Sequence, residues 1–520
     1  MPPMLKMTIL RPLGRRLLLG AALGALLATQ ALAQSKPLQV VAPWDIRGLD
    51  PVRSGFVFQR LSIAETLVAP DREGKLLPRL AASWSVSADG LSWRFLIRAG
   101  RMFHDGTPVT SGTVAQALNL ARQATGSSLR LIPTGDGFAA DGDAVTVRLS
   151  RPFAVLPAYL ADSTAVILAP ASYGPDSHVV RIIGSGPYRV TRIDGTLVVE
   201  GEAVTPQAAG GPAVQRIVYR AVPDGETRAR MAESGDADLS YNVQPVAADR
   251  LRRNPAVEVT SLPIPRARFI TLNTVLPGLS DPSVRRALAL AIDRAGAART
   301  ILRSPASAAD QLLPPFLADW RDTAAPPLRF DPAEARRLLD AAGWTPGPDG
   351  IRARDGKRLS FELFTYAARP ELPPLAEAIQ AQWKDVGVEA KLRLGDSEDI
   401  PAMHNAGTLQ AAFVARNYGV LPDPIGTLAD DFISTSTAGW GPAGWRSPEI
   451  EDAIGRYIAT SDAAERTAMR HRISGIIQAE LPVIPHSWYD QVVASSRRLR
   501  GVTVDPFEAS YGLAEISLAE

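Results

Sequence analysis

The chain has no cysteine. That excludes disulfides, thiolate metal sites and thiol nucleophiles. It also excludes a lipid anchor, which needs a cysteine directly after an export leader. Histidine is scarce. His104, His178, His404, His471 and His486 are the full set, and no two lie three to five residues apart, so no helix displays a zinc pair. No His-Glu-x-x-His, Gly-x-Ser-x-Gly or Walker pattern occurs. Gly184-Ser185-Gly186 lacks the third glycine and the spacing of a dinucleotide loop. Charge of one sign is lacking too. The formal net charge is +2, so no basic stripe for tracking phosphates is expected and nucleic acid is not an expected partner. Beyond the first residues no long apolar run is present, so the remainder should not cross a bilayer.

What is there begins with an export signal. Lys6, Arg11, Arg15 and Arg16 precede an apolar run from Leu17 to Leu27, and Ala31-Leu32-Ala33 is a small-x-small cleavage site. Residues 1–33 are therefore expected to be removed, leaving Gln34 first. The run is short for a membrane anchor. Arg15-Arg16 leaves both general and twin-arginine export open. Because four cations and no acid leave with the leader, the net charge becomes −2. A freely soluble periplasmic protein is expected.

The remaining length implies two or more domains. Leu38 to Val41 reads as a strand, as do Tyr188 to Val190, Leu197 to Val199, Ile217 to Tyr219 and Glu389 to Leu394. Asp89-Gly90 reads as a turn, after which Leu91, Trp93, Phe95 and Ile97 share one strand face. Thr110-Ser111 can cap a helix from about Thr113 to Gln123. Asp281-Pro282 should open a helix running to Arg294, and Asp331-Pro332 one to Ala342 with Gly343 as C-cap. A further helix is expected from Pro374 to Val386. Alternating helices and strands indicate α/β lobes. Asp236 and Asp238 read as solvated carboxylates flanking a strand start, and His104 as a turn histidine bonding a carbonyl.

Taken in order, these segments carry a resemblance. Glu65-Thr66-Leu67-Val68, Leu76 to Trp84, Ser87 to Phe95 and Phe103-His104-Asp105-Gly106-Thr107-Pro108 form one string. Gly184 to Tyr188, Phe269 to Thr274, Val284 to Arg294 and Phe330 to Trp344 extend it. The string resembles the peptide/nickel/opine family of extracytoplasmic solute-binding proteins that feed ABC importers. The resemblance implies an α/β two-lobed periplasmic binding protein clamshell of three domains. Residues 34–66, 185–270 and 485–520 would form a discontinuous first domain, 67–184 an inserted second and 271–484 the third. It implies a monomer without cofactor, resident metal or catalytic residues, which captures a peptide or peptide-like solute and delivers it to membrane permease subunits.

The same resemblance selects candidate ligand-binding residues. Arg416-Asn417-Tyr418-Gly419-Val420 matches the family loop that lines the cleft. Peptide binders place an aspartate where this chain has Val420, which favours a metal chelate, an opine or another N-blocked ligand. Nickel-type members use an arginine from the second domain, yet Asp162 to Val166 contains none; Arg130 or Arg416 could substitute. Aromatic candidates are Phe56, Phe58, Trp440, Trp445, Trp488 and Tyr489. Tyr418 leads, followed by Phe56 or Phe58, and Trp440 and Trp445 read as exposed-loop residues. The rival from another class is a secreted hydrolase using paired carboxylates.

Overall fold

The computed structural model describes residues 36–436 and 438–519. The leader and its cleavage point lie outside the described residues. A ten-stranded mixed sheet organises the molecule. Leu38–Ala42, buried at every position, runs parallel to both Arg216–Ala221 and Leu239–Tyr241. Strands buried on both faces read as near-continuous apolar runs, and Gln39 is the one polar residue in this strand. Val198–Ala203 and Tyr188–Asp194 continue the sheet on that side. On the far side lie Ala411–Asn417, Ser360–Tyr366 and Glu389–Gly395.

Two long antiparallel strands join these halves, Val257–Leu272 with 16 residues and Val483–Ser496 with 14. Their outer ends, Val257 to Pro263 against Asp490 to Ser496, belong with the first half. Ala267 to Thr271, paired with Val483 to Trp488, belong with the second. The register shifts between Ile264 and Ala267 and again between Arg268 and Phe269. Pro263 and Pro265 cannot donate to the ladder, so pairing breaks where the chain passes between lobes.

The apolar core divides accordingly. One cluster gathers Leu38 to Ala64, Val166 to Tyr241 and Val493 to Ile516. A larger one gathers Leu67 to Ala169 and Ala267 to Trp488. The 67–169 portion carries its own four-stranded sheet, ordered Ala81–Val86, Ser92–Ile97, Ala144–Arg148, Phe138–Asp141. Trp93, Phe95 and Ile97 point into its core, as their alternation requires. Helix Ser111–Gln123 packs behind it, with Thr110 and Thr113 forming a reciprocal cap.

Two local expectations need correction. The helix from Asp281 is not continuous to Arg294. It spans Pro282–Leu290, and Arg294–Thr300 forms a second helix whose N-cap, Asp293, accepts from the Gly296 amide. Asp is a stronger cap than a helix-interior residue, and the restart follows from that. Asp238 is not a solvated carboxylate. It is buried, accepts the Gln39 amide at 2.8 Å and pairs with Arg498 at 2.6 Å. His104 does bond a carbonyl, that of Gly186 at 3.0 Å.

Candidate ligand site between the lobes

The strand that links the lobes brings Arg266 and Arg268 to the junction. Both are buried in an otherwise apolar stretch. On the neighbouring long strand, Tyr489 offers its ring to three guanidinium groups: Arg268 at 3.3 Å, Arg369 at 5.4 Å and Arg266 at 5.5 Å from the centroid. A tyrosine face attracts cations through its quadrupole. The Tyr489 hydroxyl donates to Glu371, and Arg268 pairs with the same carboxylate at 3.2 Å.

The first lobe supplies the other wall. Arg60 ends the helix Pro51–Arg60, where the helix dipole favours a cation. Its guanidinium lies 4.1 Å over the Trp44 ring and 5.2 Å over Phe56. Near the C-terminus, Asp505 accepts the amides of Phe507, Ala509 and Ser510. That turn holds Glu508 at φ 54°, left-handed backbone that is uncommon for a residue with a Cβ. The Glu508 carboxylate meets Arg266 at 2.6 Å and Arg60 at 4.0 Å. Phe507 beside it packs edge-on against Phe316 of the opposite lobe, centroids 5.4 Å apart.

Burial alone would raise the Glu508 pKa, but Arg266, Arg60 and Arg369 outweigh it and hold the carboxyl below its ordinary range. Glu371 behaves alike: burial opposes ionisation, while Arg268, the Tyr489 hydroxyl and Arg369 lower its pKa. Burial pushes Tyr489 itself up to about 12. Both carboxyls are therefore ionised at neutral pH. Arg60, Arg266, Arg268 and Arg369 still outnumber Glu371 and Glu508. Arg60 Nη1, Arg266 Nε and Glu508 Oε1 are buried without a hydrogen-bond partner. Buried donors and acceptors are normally satisfied, which makes these three atoms candidate partners for polar groups of a ligand.

The residues expected from sequence fall in several places. Phe56 and Asn417 lie beside the cluster, Phe56 under Arg60 and Asn417 opposite Arg266 in the sheet. Phe58 lies in the first-lobe core and is fully buried. Tyr418 is fully enclosed, its hydroxyl donating to Asp431 at 3.4 Å and its amide to Pro265 at 2.7 Å. Arg416 gives its charge to the same Asp431, at 2.7 Å. Trp488 alternates with Tyr489 and points the other way, its Nε1 donating to the Gln311 carbonyl. Trp445 is not an exposed-loop residue: it is buried, packs on Phe432 and donates to Glu480 at 2.8 Å. Trp440 is half-buried, 5.6 Å from the Arg416 guanidinium. Trp445, Asp430, Asp431 and His404 line a separate cavity of about 120 Å³ in the second lobe. Arg130 is exposed and stands apart. Among the described residues, no group of three His, Cys, Asp or Glu side chains is placed to hold a metal.

Arg60, Arg266, Arg369 and Glu508 were missed by sequence reasoning. Arg266 and Arg268 carried a usable signal, two cations inside the mostly apolar run from Leu262 to Leu272. Glu508 carried none.

Two lobes joined by crossing strands, with charged and incompletely satisfied groups at their junction, define a protein that closes on a solute. Residues 75–438 match the bacterial extracellular solute-binding proteins, family 5 middle region, and the chain belongs to this family. It is 26% identical over 499 residues to the glutathione-binding protein GsiB of Escherichia coli strain K12, covering 93% of this chain and 94% of that protein. The crystal structure of NikA from Brucella suis in complex with Fe(III)-EDTA shares the fold, with TM-score 0.83, 24% identity, and coverage of 93% of this chain and all of that one. The oligopeptide-binding protein AppA of Bacillus subtilis, solved with a nonapeptide, has TM-score 0.74 and 20% identity, over 93% of this chain and 100% of AppA. The fold is the two-lobed α/β periplasmic binding protein clamshell. The chain is the solute-binding component of an ABC importer for peptides or related solutes.

Proposed function

We propose that this protein captures an anionic, peptide-like solute in the periplasm and takes up a solute carboxylate between Arg60, Arg266 and Arg369. One observation carries the reading: guanidinium groups from both lobes converge on a single protein carboxylate while Arg60 Nη1 and Arg266 Nε lack partners. Closing the lobes brings like charges together in a place without water. A solute anion offsets that repulsion only in the closed form, and such differential contact is what a ligand needs to drive closure. The solute's N-terminus is the weaker handle. Val420 is exposed and uncharged, and the nearby Asp423 is occupied by Tyr457 and by Arg466 at 2.9 Å. That supports an N-substituted solute, or one held chiefly by its carboxylates, over a free-amine dipeptide. A polycarboxylate metal chelate or an opine is the second reading, favoured by the same arginine excess.

The leader would be cleaved after Ala33 and, without cysteine, leave a soluble monomer. The three-domain division, 34–66 with 185–270 and 485–520, then 67–184, then 271–484, remains part of this reading. Mass spectrometry of solutes released on denaturing protein purified from its native periplasm tests the reading. A carboxylate-bearing compound is expected. Recovery of a neutral or cationic solute sinks it.

A further inference from the structure

Glu508 is placed with more constraint than a packing role requires. Its turn is held by Asp505, not by its own side chain. It accepts the left-handed backbone, and its carboxylate is buried amid three arginines. One of its two oxygens, Oε1, faces Arg60 at 4.0 Å but accepts no hydrogen bond. A purely structural ion pair would satisfy both oxygens, since a half-satisfied buried network is costly.

We infer that Glu508 is a specificity-determining residue, which sets how many negative charges the solute carries by neutralising one of the cations that converge on the junction. The assignment rests on the capture reading above. With Glu508 ionised, Arg60, Arg266, Arg268 and Arg369 face only Glu371 and Glu508, which leaves an excess of two positive charges for solute anions to neutralise, and the Glu508 Oε1 that lacks a hydrogen bond accepts an N–H from a solute that carries one. Each solute carboxylate beyond that excess, or any placed beside Glu508, is repelled without water to screen it. Discrimination of this kind is a repulsive element as much as an attractive one.

The test compares two probes on the full mature protein, glutathione with two carboxylates and its monoethyl ester with one. Affinities are read by calorimetry and by thermal shift. Glu508→Gln should raise the glutathione-to-ester affinity ratio at least tenfold, because the junction gains a positive charge. Arg369→Gln should lower it by a similar factor. The hydrogen bond that Arg369 makes in its loop is through its backbone carbonyl, which accepts from the Leu372 amide at 3.0 Å and is kept in Arg369→Gln, so this second variant reports even where Glu508→Gln fails to fold. Opposite shifts support the assignment. A wild type that binds both probes, with the ratio unmoved in the folded variants, overturns it and leaves the capture reading intact. A wild type stabilised by neither probe also overturns the assignment, whereas the capture reading falls only if the solute released from periplasmic protein is neutral or cationic.

Discussion

Arg266 and Glu508 stand 242 residues apart in the chain and meet with their side chains 8% and 7% exposed. At such burial desolvation offsets most of the mutual attraction, so the pair adds little net stability. Removing one partner is different, because the other is left charged in the dark. Arg266→Ala should therefore cost about 3–5 kcal/mol in urea unfolding; a loss under about 1 kcal/mol would mean the junction is wetter than described. His486 gives a pH prediction. It is fully buried beside the Phe413 ring, and burial first, then Arg294 and Arg268, push its pKa down to about 3. Folded protein keeps this ring neutral while the unfolded chain protonates it below about 6.5. The unfolded state thus binds more protons between about pH 6.5 and 3, and stability falls as pH drops through that window, by up to about 1.4 kcal/mol per unit. His486→Asn should flatten that slope, measured by denaturation at pH 4, 5 and 7. At this scale the sequence was a mixed guide. The family loop points to Tyr418 as a cleft residue and the polar stretch around Trp445 to an exposed one, yet both are enclosed and each donates to a carboxylate, Asp431 and Glu480, 13 and 35 residues on.

Elements were more legible than residues. Caps and turns are local chemistry, and Thr110, Asp331 and Gly343 act where their neighbours place them. Even the break at Asp293 was readable in principle, since the cap competes with helix continuation within a few residues. Gly184-Ser185-Gly186 shows the limit. The motif was recognised, but its reason is tertiary: a Cβ on Gly186 would lie 2.1 Å from the Ser62 carbonyl oxygen, and one on Gly184 2.0 Å from that of Ile63. The segment returns to the first lobe flush against the chain that left it. Gly186→Ala should cost about 1–3 kcal/mol, since backbone cannot yield as a side chain can; an unchanged melting temperature would show that the approach is looser. Thr110→Ala, removing only a cap, should cost about 1 kcal/mol on the same measurement.

For the whole molecule, closure links ligand to stability. A solute that binds only the folded form at 100 times its dissociation constant stabilises by about 2.7 kcal/mol. Thermal unfolding with increasing solute should rise accordingly, and a flat response to every carboxylate-bearing solute would remove the binding mode proposed here. Composition and local pattern determined that this chain has no thiol chemistry, that it forms α/β lobes and where many of its helices start. Those features depend on residue types and on neighbours a few positions away. Only the tertiary structure decided which charges meet. Arg60 comes from an early helix, Arg266 from the linking strand, Arg369 from a loop in the second lobe and Glu508 from a turn near the C-terminus. Their encounter depends on two long strands carrying the chain across the junction, and nothing local to any of the four encodes it.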